Sequence, residues 1–535
     1  RREEATSPLS GVDAARHGSS PTSHRAMVAP ATRTLLLGAA LGAAAATVCG
    51  LLGLALVAPP GLGGALRTRL PTADEVATAA ADWDWAPRPE PPGATLQPTG
   101  PGSAGAAPFV TRVDAGVLIF GTGEVIRNGS VVFDSGTNQI LFAGPSASLP
   151  GALLRATANV TMTVAAAMPG LWDCHTHFGM NLSGAPSAFK LEAYPANYIY
   201  FHSALQELEE SLMMGITSVR EMGGPYGQAI RTLERAGRIA APNFHYAGRA
   251  IGMTGGHSDE QLVPVGVYRH MDSERTVFGA LCDGVPECLK RVRENLRMQA
   301  DVVKVMTTGG VLSEFDQPTD AQLSPEEIRA VVQDARQAGR AVAAHAHGTA
   351  GIQSAIDNGV TSVEHGSFMT REQARQIKAR GYMVYTPTLT IHQLLFNGTS
   401  RPPSLDDNQW RKGRRVLEHN TRSAVMAMQE RVPIVAGTDC PRGCALVGTE
   451  VNLLHMFGMT PLEAIRAATG DAPRCMGQYG MMPRSGRLAA GYEADVIALD
   501  VNPLARLEAL TERERITHVW KAGRLVKGRA QARRA

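Results

Sequence analysis

Between residues 168 and 479 the chain alternates short apolar runs with amphipathic segments of helical period. Such runs are typical of buried parallel strands, and the amphipathic segments are typical of the helices that cover them. The segment SPEEIRAVVQDARQAG opens with Ser324, Pro325 and Glu327 arranged as a capping box. Eight segments carry the strand pattern: TVAAAMPGLWDCHTH, GITSVREM, NFHYAGRAI, DVVKVMTTGG, AVAAHAHG, TSVEHG, YMVYTPTL and PIVAGTD. Eight β-α units predict an α/β fold, a (β/α)8 TIM barrel over residues 168–479.

A different pattern flanks this region on both sides. Residues 108–167 hold short alternating runs separated by Gly- and Asn-containing turns, and residues 480–530 repeat it in EADVIALD and ITHVWKAGRLVKG. This alternation is typical of antiparallel strands. We predict that the two flanks assemble into one small β-sandwich, with two independent β appendages as the alternative.

The first hundred residues differ in composition from the rest. Residues 1–34 are polar and rich in Ser, Pro, Ala and Arg, so we expect them to be disordered. Residues 35–58 form an uncharged Ala/Gly/Leu run that is long enough to span a bilayer. We interpret this run as a transmembrane signal anchor or a signal peptide, which predicts membrane anchoring or secretion. The alternatives are a buried Ala-rich core helix and a cytoplasmic location. Residues 59–107 form a Pro/Ala/Gly-rich linker.

Composition and charge exclude several function classes. Of the 535 residues, 44% are hydrophobic and 19% are charged, and the net charge is only +3. The hydrophobic content excludes a wholly disordered chain, and the small net charge gives no electrostatic basis for binding nucleic acid. Seven cysteines in this length do not form a disulfide framework, although Cys282 and Cys288 either pair in an oxidising compartment or stay reduced.

Side chains able to bind a metal ion follow several predicted strands at their carboxyl ends. His175 and His177 end the first strand, and residues two apart in a strand point to the same face. In a parallel barrel the carboxyl ends of all strands meet at one mouth. Converging imidazoles and carboxylates are suited to a divalent metal ion, whereas each residue alone is explained equally well by hydrogen bonding in the core. The other strand-end donors are His345, His347, His365 and Asp439.

Lys304 lies in the fourth predicted strand and, as an ammonium, is no metal ligand. Judged by composition alone, such a lysine is explained by a salt bridge at the end of the strand. Addition of CO₂ to its amine would give a carbamate, a carboxylate-like anion that can bridge two cations.

The combined motifs resemble one enzyme superfamily over most of the chain. MPGLWDCHTHFG, VKVMTTGGVLS, HAHGTAGI, VEHG, GTD, GMTPLEAIRAAT and GYEADVIALDVNPL are similar to the metal-dependent amidohydrolases, from residue 109 to residue 528. The likeness is greatest to the branch that holds ochratoxinase and the Xaa-Pro dipeptidase-like carboxypeptidases. It implies a hydrolase with two divalent metal ions, usually zinc, that uses a metal-bridged hydroxide to cleave amide bonds. Its substrates would be small molecules, either peptide-like amides or N-acyl amino acids.

The resemblance also implies a role for each donor. It assigns His175, His177 and Asp439 to the first metal ion, His345 and His365 to the second, carboxylated Lys304 to the bridge, and His257 and His347 to substrate contacts. Asp439 would also take a proton from the attacking water and pass it to the leaving nitrogen. The alternative to substrate contact is an ordinary loop position for His257 and a hydrogen bond in the core for His347.

Three smaller features accompany these motifs. Arg220 and Glu221 follow the second strand and correspond to the usual Arg–Asp pair of the superfamily, although an ion pair explains them equally well. Gly309 and Gly310 are expected to let the loop after the fourth strand approach the metal centre closely. Cys440 and the cysteine four positions later lack the second pair that a thiolate metal site requires.

Two other functions remain open at this point. A mononuclear deaminase or cyclic-amide hydrolase would use only His175, His177, His345 and Asp439, and Lys304 argues against it. A non-catalytic scaffold descended from such enzymes would be expected to have lost ligands, and none is missing here. Related barrels commonly form oligomers, so a homo-oligomer is compatible with the sequence.

Overall fold

The computed structural model describes residues 110–157, 161–179, 196–273, 277–441, 445–478 and 482–528. The predictions for residues 1–34, 35–58 and 59–107 lie outside this part of the chain. In the described ranges no helix is long and apolar enough to cross a bilayer. The longest, Asp407–Gln429, has 23 residues but carries charged side chains along its length, which a membrane span does not tolerate. The transmembrane and signal-anchor assignment is corrected accordingly.

The described strands form three sheets. They are β1 (Val110–Ile119), β2 (Val125–Asp134), β3 (Gln139–Pro145), β4 (Thr161–Pro169), β5 (Leu171–His177), β6 (Ile216–Glu221), β7 (Asn243–Tyr246), β8 (Ala250–Gly252), β9 (Gly279–Leu281), β10 (Val302–Met306), β11 (Ala341–Ala346), β12 (Ser362–His365), β13 (Val384–Thr386), β14 (Cys440–Pro441), β15 (Val496–Leu499), β16 (Ile516–Lys521) and β17 (Arg524–Lys527).

Helices connect most of these strands. They are α1 (Gly151–Ala156), α2 (Ala196–Met213), α3 (Gly227–Arg235), α4 (Val265–Ser273), α5 (Val285–Arg297), α6 (Pro325–Gln337), α7 (Thr349–Asp357), α8 (Arg371–Ala379), α9 (Leu389–Phe396), α10 (Asp407–Gln429), α11 (Val447–Met456) and α12 (Pro461–Ala467), with 3₁₀ turns at Ser146–Ser148, Ala472–Met476 and Leu507–Thr511. The capping box predicted at Ser324 and Glu327 is confirmed at the start of α6.

The first sheet combines strands from both ends of the described chain. Its order is β17-β16-β15-β4-β1-β2-β3. Strand β4 is the junction, because it pairs in parallel with β1 and antiparallel with β15. Buried Val113, Leu118, Phe133 and Trp520 belong to the core of this unit. The two flanks therefore share one seven-stranded sheet, and a sandwich, which requires two packed sheets, stays a prediction.

The other two sheets contain the strands that carry the candidate ligands. Their orders are β13-β12-β11-β10-β8-β9 and β14-β5-β6-β7, and all their strand pairs are parallel. Every residue of β5, β6, β10 and β11 is buried, as expected for strands covered on both faces. The α/β class is confirmed. In the described ranges strand pairing does not close these sheets into one ring, so the closed eight-stranded barrel stays a prediction.

The eighth predicted strand, PIVAGTD, is largely irregular. Ile434 forms a single parallel bridge to Tyr385, and the Cys174 N–H donates to the Ala436 carbonyl over 2.9 Å. The segment thus contacts both the first and the seventh strand. The backbone of Asp439 is left-handed, with φ of 53°, and the two residues that follow it, β14, pair in parallel with the end of β5.

The structure shows which of the described cysteines form disulfide bonds. Cys282 and Cys288 are bonded to each other, which decides between the two alternatives stated above. Cys440 is also disulfide-bonded, so it offers no thiolate to a metal ion.

Candidate metal centre

One cavity at the carboxyl ends of the parallel strands brings together every site residue that the sequence predicts. The lining includes His175, His177, His257, Lys304, His345, His347, His365 and Asp439. Because β5, β10, β11 and β12 are neighbouring or facing parallel strands, their carboxyl-terminal side chains meet at one mouth. All eight predicted positions therefore belong to a single site.

The first group of donors surrounds the Asp439 carboxylate. The donor atoms of His175, His365 and Asp439 all lie within 4.8 Å of one another. Asp439 Oδ1 is 3.4 Å from both His175 Nε2 and His177 Nε2. Burial alone would raise the pKa of Asp439, but His175 and His177 hold it well below its usual value. The group therefore offers imidazole nitrogens and an ionised carboxylate to one point.

The second group consists of histidines alone. The donor atoms of His345, His347 and His365 also lie within 4.8 Å of one another. His345 Nε2 contacts the Gly309 carbonyl at 3.1 Å, and His347 Nδ1 contacts the Ser367 hydroxyl at 2.7 Å, so each ring keeps its other nitrogen for a ligand. The resemblance assigns only His345 and His365 to the second ion. By position, however, His347 is as well placed to bind that ion as they are.

The backbone at three strand ends is left-handed. His365, Thr388 and Asp439 have φ of 69°, 51° and 53°. For residues other than glycine such conformations cost on the order of 1–3 kcal/mol and concentrate at functional sites. Thr388 also fixes the neighbouring ligand, because its hydroxyl lies 2.8 Å from His365 Nδ1. Two of the candidate ligands, His365 and Asp439, therefore lie at positions of backbone strain.

A buried carboxylate orients His175. Glu364 Oε2 lies 2.9 Å from His175 Nδ1, and the Arg220 guanidinium donates to Glu364 Oε1 over 2.8 Å. Burial alone would raise the pKa of Glu364, but Arg220 and His175 hold it well below its usual value. A carboxylate on the far nitrogen of a histidine fixes the ring and strengthens it as a metal ligand. His175 therefore presents Nε2 to the donor group.

The partner of Arg220 differs from the expectation for the second strand. Arg220 forms its ion pair with Glu364, on β12, and not with the adjacent Glu221. Neighbours in a strand point to opposite faces, which separates the two side chains. Glu221 is buried, its Oε2 has no hydrogen-bond partner within the described residues, and burial raises its pKa to about 8. Sequence reasoning missed Glu364, although it directly precedes the ligand His365.

Lys304 lies close to the first donor group in space. Its side chain is buried on β10, and Nζ is 3.4 Å from His175 Nε2. Burial lowers the pKa of Lys304 to about 8, despite the raising effect of Glu364 and Asp439. The neutral amine, which is the form that can add CO₂, is therefore accessible near neutral pH.

The loop after β10 approaches the histidines closely, as predicted from its two glycines. A Cβ at Gly310 would lie 2.0 Å from the His257 ring, so a larger residue would displace that ring. The His257 ring in turn stacks on His345, with 4.3 Å between the ring centroids. This places His257 at the edge of the second group.

The rest of the cavity wall is partly apolar and partly acidic. His392, which no sequence motif had singled out, also lines it. The apolar residues are Phe278, Met306, Val311, Leu312, Ile391, Leu395 and Phe396, and the acidic ones are Asp259, Glu260 and Glu314. An apolar wall beside polar donors is typical of a site for a small organic ligand.

The donor chemistry fits divalent metal ions. Burial lowers the pKa of His175 to about 4 and holds those of His345, His347 and His365 well below their usual value. These rings are therefore neutral at physiological pH, as metal binding requires. Neutral imidazoles with a carboxylate are the ligands that zinc and similar ions prefer. The two groups share His365, which places the candidate ion positions next to each other.

Comparison with known sequences agrees with this geometry. Residues 166–526, more than half of the chain, match the Amidohydrolase family. The chain is 37% identical to the ochratoxinase of Aspergillus niger over 432 residues, which cover 78% of this chain and 87% of that protein.

Comparison with solved structures gives the same result. The crystal structure of A. niger ochratoxinase has a TM-score of 0.72 and 35% identity, and the match covers 80% of this chain and 98% of that chain. A Xaa-Pro dipeptidase with methionine bound in its active site has a TM-score of 0.68 and 28% identity, covering 78% of this chain and 100% of that chain. The chain therefore belongs to the amidohydrolase family, in its ochratoxinase-like branch, and is a hydrolase that acts on carbon–nitrogen bonds.

Proposed function

We propose that this protein hydrolyses the amide bond of peptide-like or N-acyl amino acid substrates with the help of two divalent metal ions, most readily zinc. The observation that carries the proposal is the convergence of all the predicted ligands in one cavity, where His175, His365 and Asp439 form one donor group and His345, His347 and His365 form a second. A single ion would use only one of these groups. A scaffold without activity would have no need for buried neutral imidazoles around an ionised carboxylate.

Each donor has a place in this proposal. His175, His177 and Asp439 would hold the first ion, His345 and His365 the second, and Lys304, as a carbamate, would bridge them. The position of Lys304 Nζ, 3.4 Å from His175 Nε2, is compatible with a bridging anion beside the first group. His347 and His257 border the second group and would contact the substrate, with the free nitrogen of His347 also within reach of the second ion.

Asp439 is the residue that would move the proton. The metal ions, when bound, lower the pKa of water and polarise the scissile carbonyl. The Asp439 carboxylate is ionised and faces the first donor group, so it can accept a proton from the attacking water. It then returns that proton to the departing nitrogen, so that water and amide become a carboxylic acid and an amine. His175 Nε2 and His177 Nε2, each 3.4 Å from Asp439 Oδ1, would hold the first ion together with this carboxylate.

The shape of the cavity and the relatives support the substrate class. A wall of aliphatic and aromatic side chains lies beside the donor groups and suits a hydrophobic substituent next to the scissile amide. Ochratoxinase and a Xaa-Pro dipeptidase are both similar to this chain, and the name of the dipeptidase denotes cleavage of the peptide bond between two amino acids.

A substrate screen tests the proposal. The zinc-loaded full chain is expected to release free amine from N-acyl amino acids or dipeptides, with preference for hydrophobic members, and removal of metal with a chelator is expected to abolish release. Amine release is measured by mass spectrometry with and without added Zn²⁺. Release of ammonia from aminated heterocycles instead of amine from acyclic amides would contradict the proposal and favour a deaminase.

A further inference from the structure

His392, on the helix after the seventh strand, is a polar side chain that the mechanism above does not use. It is 3% exposed and lines the same cavity as the metal-binding histidines. Within the described residues neither of its ring nitrogens has a hydrogen-bond partner. Leaving a buried donor or acceptor unpaired destabilises a protein, so buried polar groups in native proteins are normally hydrogen-bonded. A buried imidazole that lines the cavity with neither nitrogen paired is therefore suited to a ligand.

The position of His392 is fixed by contacts at the start of α9. The Glu450 carboxylate accepts the backbone N–H groups of Leu389 and Thr390, at 3.0 and 2.7 Å, and the Thr390 hydroxyl at 2.6 Å. These bonds satisfy amide groups that a helix leaves unpaired at its first turn. Since α9 is anchored in this way, the backbone that carries His392 cannot shift away from the cavity without breaking buried hydrogen bonds.

His392 lies beside the second donor group without belonging to it. Its ring centroid is 5.9 Å from that of His347 and 6.2 Å from that of His365. The nitrogens that lie within 4.8 Å of one another are those of His345, His347 and His365, and His392 is outside this set. A ring at this distance would contact a substrate bound at the metal centre more readily than the ion itself.

The surroundings of His392 form the hydrophobic end of the cavity. Leu395 and Phe396, on the same helix, line the wall, and the Phe396 ring lies 6.4 Å from the His392 ring. Phe396 is held against α10, because a Cβ at Gly413 would lie only 2.1 Å from its ring. A rigid apolar wall with one hydrogen-bonding ring matches a substrate portion that combines a bulky hydrophobic side chain with a polar group.

We infer that His392 is a specificity-determining residue that hydrogen-bonds a polar group of the substrate next to a bulky hydrophobic side chain. The inference rests on the proposed function, in which the substrate contains an amino acid linked through its nitrogen. The polar group of such a substrate, apart from the scissile amide, is the carboxylate of that amino acid or the corresponding carboxamide. Imidazole serves either one, because a neutral ring both donates and accepts.

Binding measurements with three related ligands test this role. The ligands are N-acetyl-L-phenylalanine, N-acetyl-L-phenylalanine amide and N-acetyl-2-phenylethylamine, which has the aromatic ring but lacks the polar group. Titration calorimetry is done on the zinc-loaded full chain carrying Asp439→Asn, so that no turnover interferes. Adding His392→Phe is expected to weaken binding of the first two ligands at least about tenfold and of the third by less than about twofold. His392→Gln, which keeps hydrogen-bonding capacity, is expected to restore part of the loss.

A matched control is His245→Phe, since His245 also has an unpartnered buried nitrogen within the described residues but stacks on Trp172 outside the cavity lining. It is expected to leave all three dissociation constants unchanged. Three results, each obtained with protein that retains its metal and its thermal unfolding transition, would overturn the inference. They are an equal loss of affinity for all three ligands in the His392 variant, no loss of affinity in that variant, and no binding of the ligands at all. Failure of the wild-type protein to hydrolyse these amides, with the binding pattern retained, would contradict the proposed function alone.

Discussion

Replacing Asp439 with asparagine is expected to lower kcat at least about a thousandfold while the metal content stays close to that of the wild-type protein. General acid–base catalysis by a positioned side chain contributes about 10²–10⁴-fold, and here the same group serves both proton transfers. An amide oxygen can still coordinate an ion, but an amide does not take up a proton at neutral pH. The variant therefore separates proton transfer from metal binding.

The test needs the metal content and the kinetics of the same preparation. Asp500→Asn makes the same chemical change outside the cavity, where the carboxylate pairs with Arg515 at the surface, and it is expected to leave kcat unchanged. Near-normal turnover in the Asp439 variant would show that another group moves the proton. Loss of both ions would show that Asp439 acts mainly as a ligand.

Replacing Lys304 with alanine is expected to remove metal from the protein and with it nearly all turnover. In the proposed centre the carbamate on Lys304 is the anion that bridges the two ions, and alanine offers no atom in its place. The lysine is buried 3.4 Å from His175 Nε2, so a short carboxylic acid that enters the vacated space can replace the lost anion. Partial recovery of metal content and turnover with acetate or propionate is the expected result.

Lys412 provides a matched control for this experiment. It is also buried, but its amine donates to the carbonyl groups of Ser313 and Asp316 and does not line the cavity. Lys412→Ala is expected to retain its metal and to gain nothing from added acetate. Full metal content in Lys304→Ala, measured on folded protein, would refute the bridging role of the lysine.

Much of the site is predictable from sequence because parallel strands have a fixed polarity. A histidine or aspartate at the carboxyl end of a buried strand is delivered to the same mouth as its counterparts, whatever the intervening loops do. His175 and His345 illustrate this: they are far apart in sequence, yet both line the one cavity. The capping box at Ser324 was predictable for a similar reason, since it depends on residues within one helical turn.

Contacts that depend on the relative placement of distant segments were not predictable. Arg220 pairs with Glu364 across 144 positions, and nothing in either local sequence specifies that partner. The pattern around His392 predicts only that it follows a strand, and nothing local specifies that Glu450, 60 positions from Thr390, anchors the start of its helix. The interpretation of residues 35–58 relied on composition alone, and it is corrected because no helix in the described ranges could cross a bilayer. The eighth strand was predicted as regular, but it forms only a bridge at Ile434 and a short pairing at Cys440 and Pro441, with the left-handed Asp439 between them.

The measurement that tests the central claim most directly is the metal content of gently purified full-length protein, combined with its intact mass. The account predicts two equivalents of divalent metal per chain and an added mass of one CO₂, which is lost when Lys304 is replaced. One equivalent with an unmodified lysine would contradict the two-metal centre and favour a mononuclear enzyme. Folded protein that binds no metal, even when zinc is supplied, would contradict the account altogether.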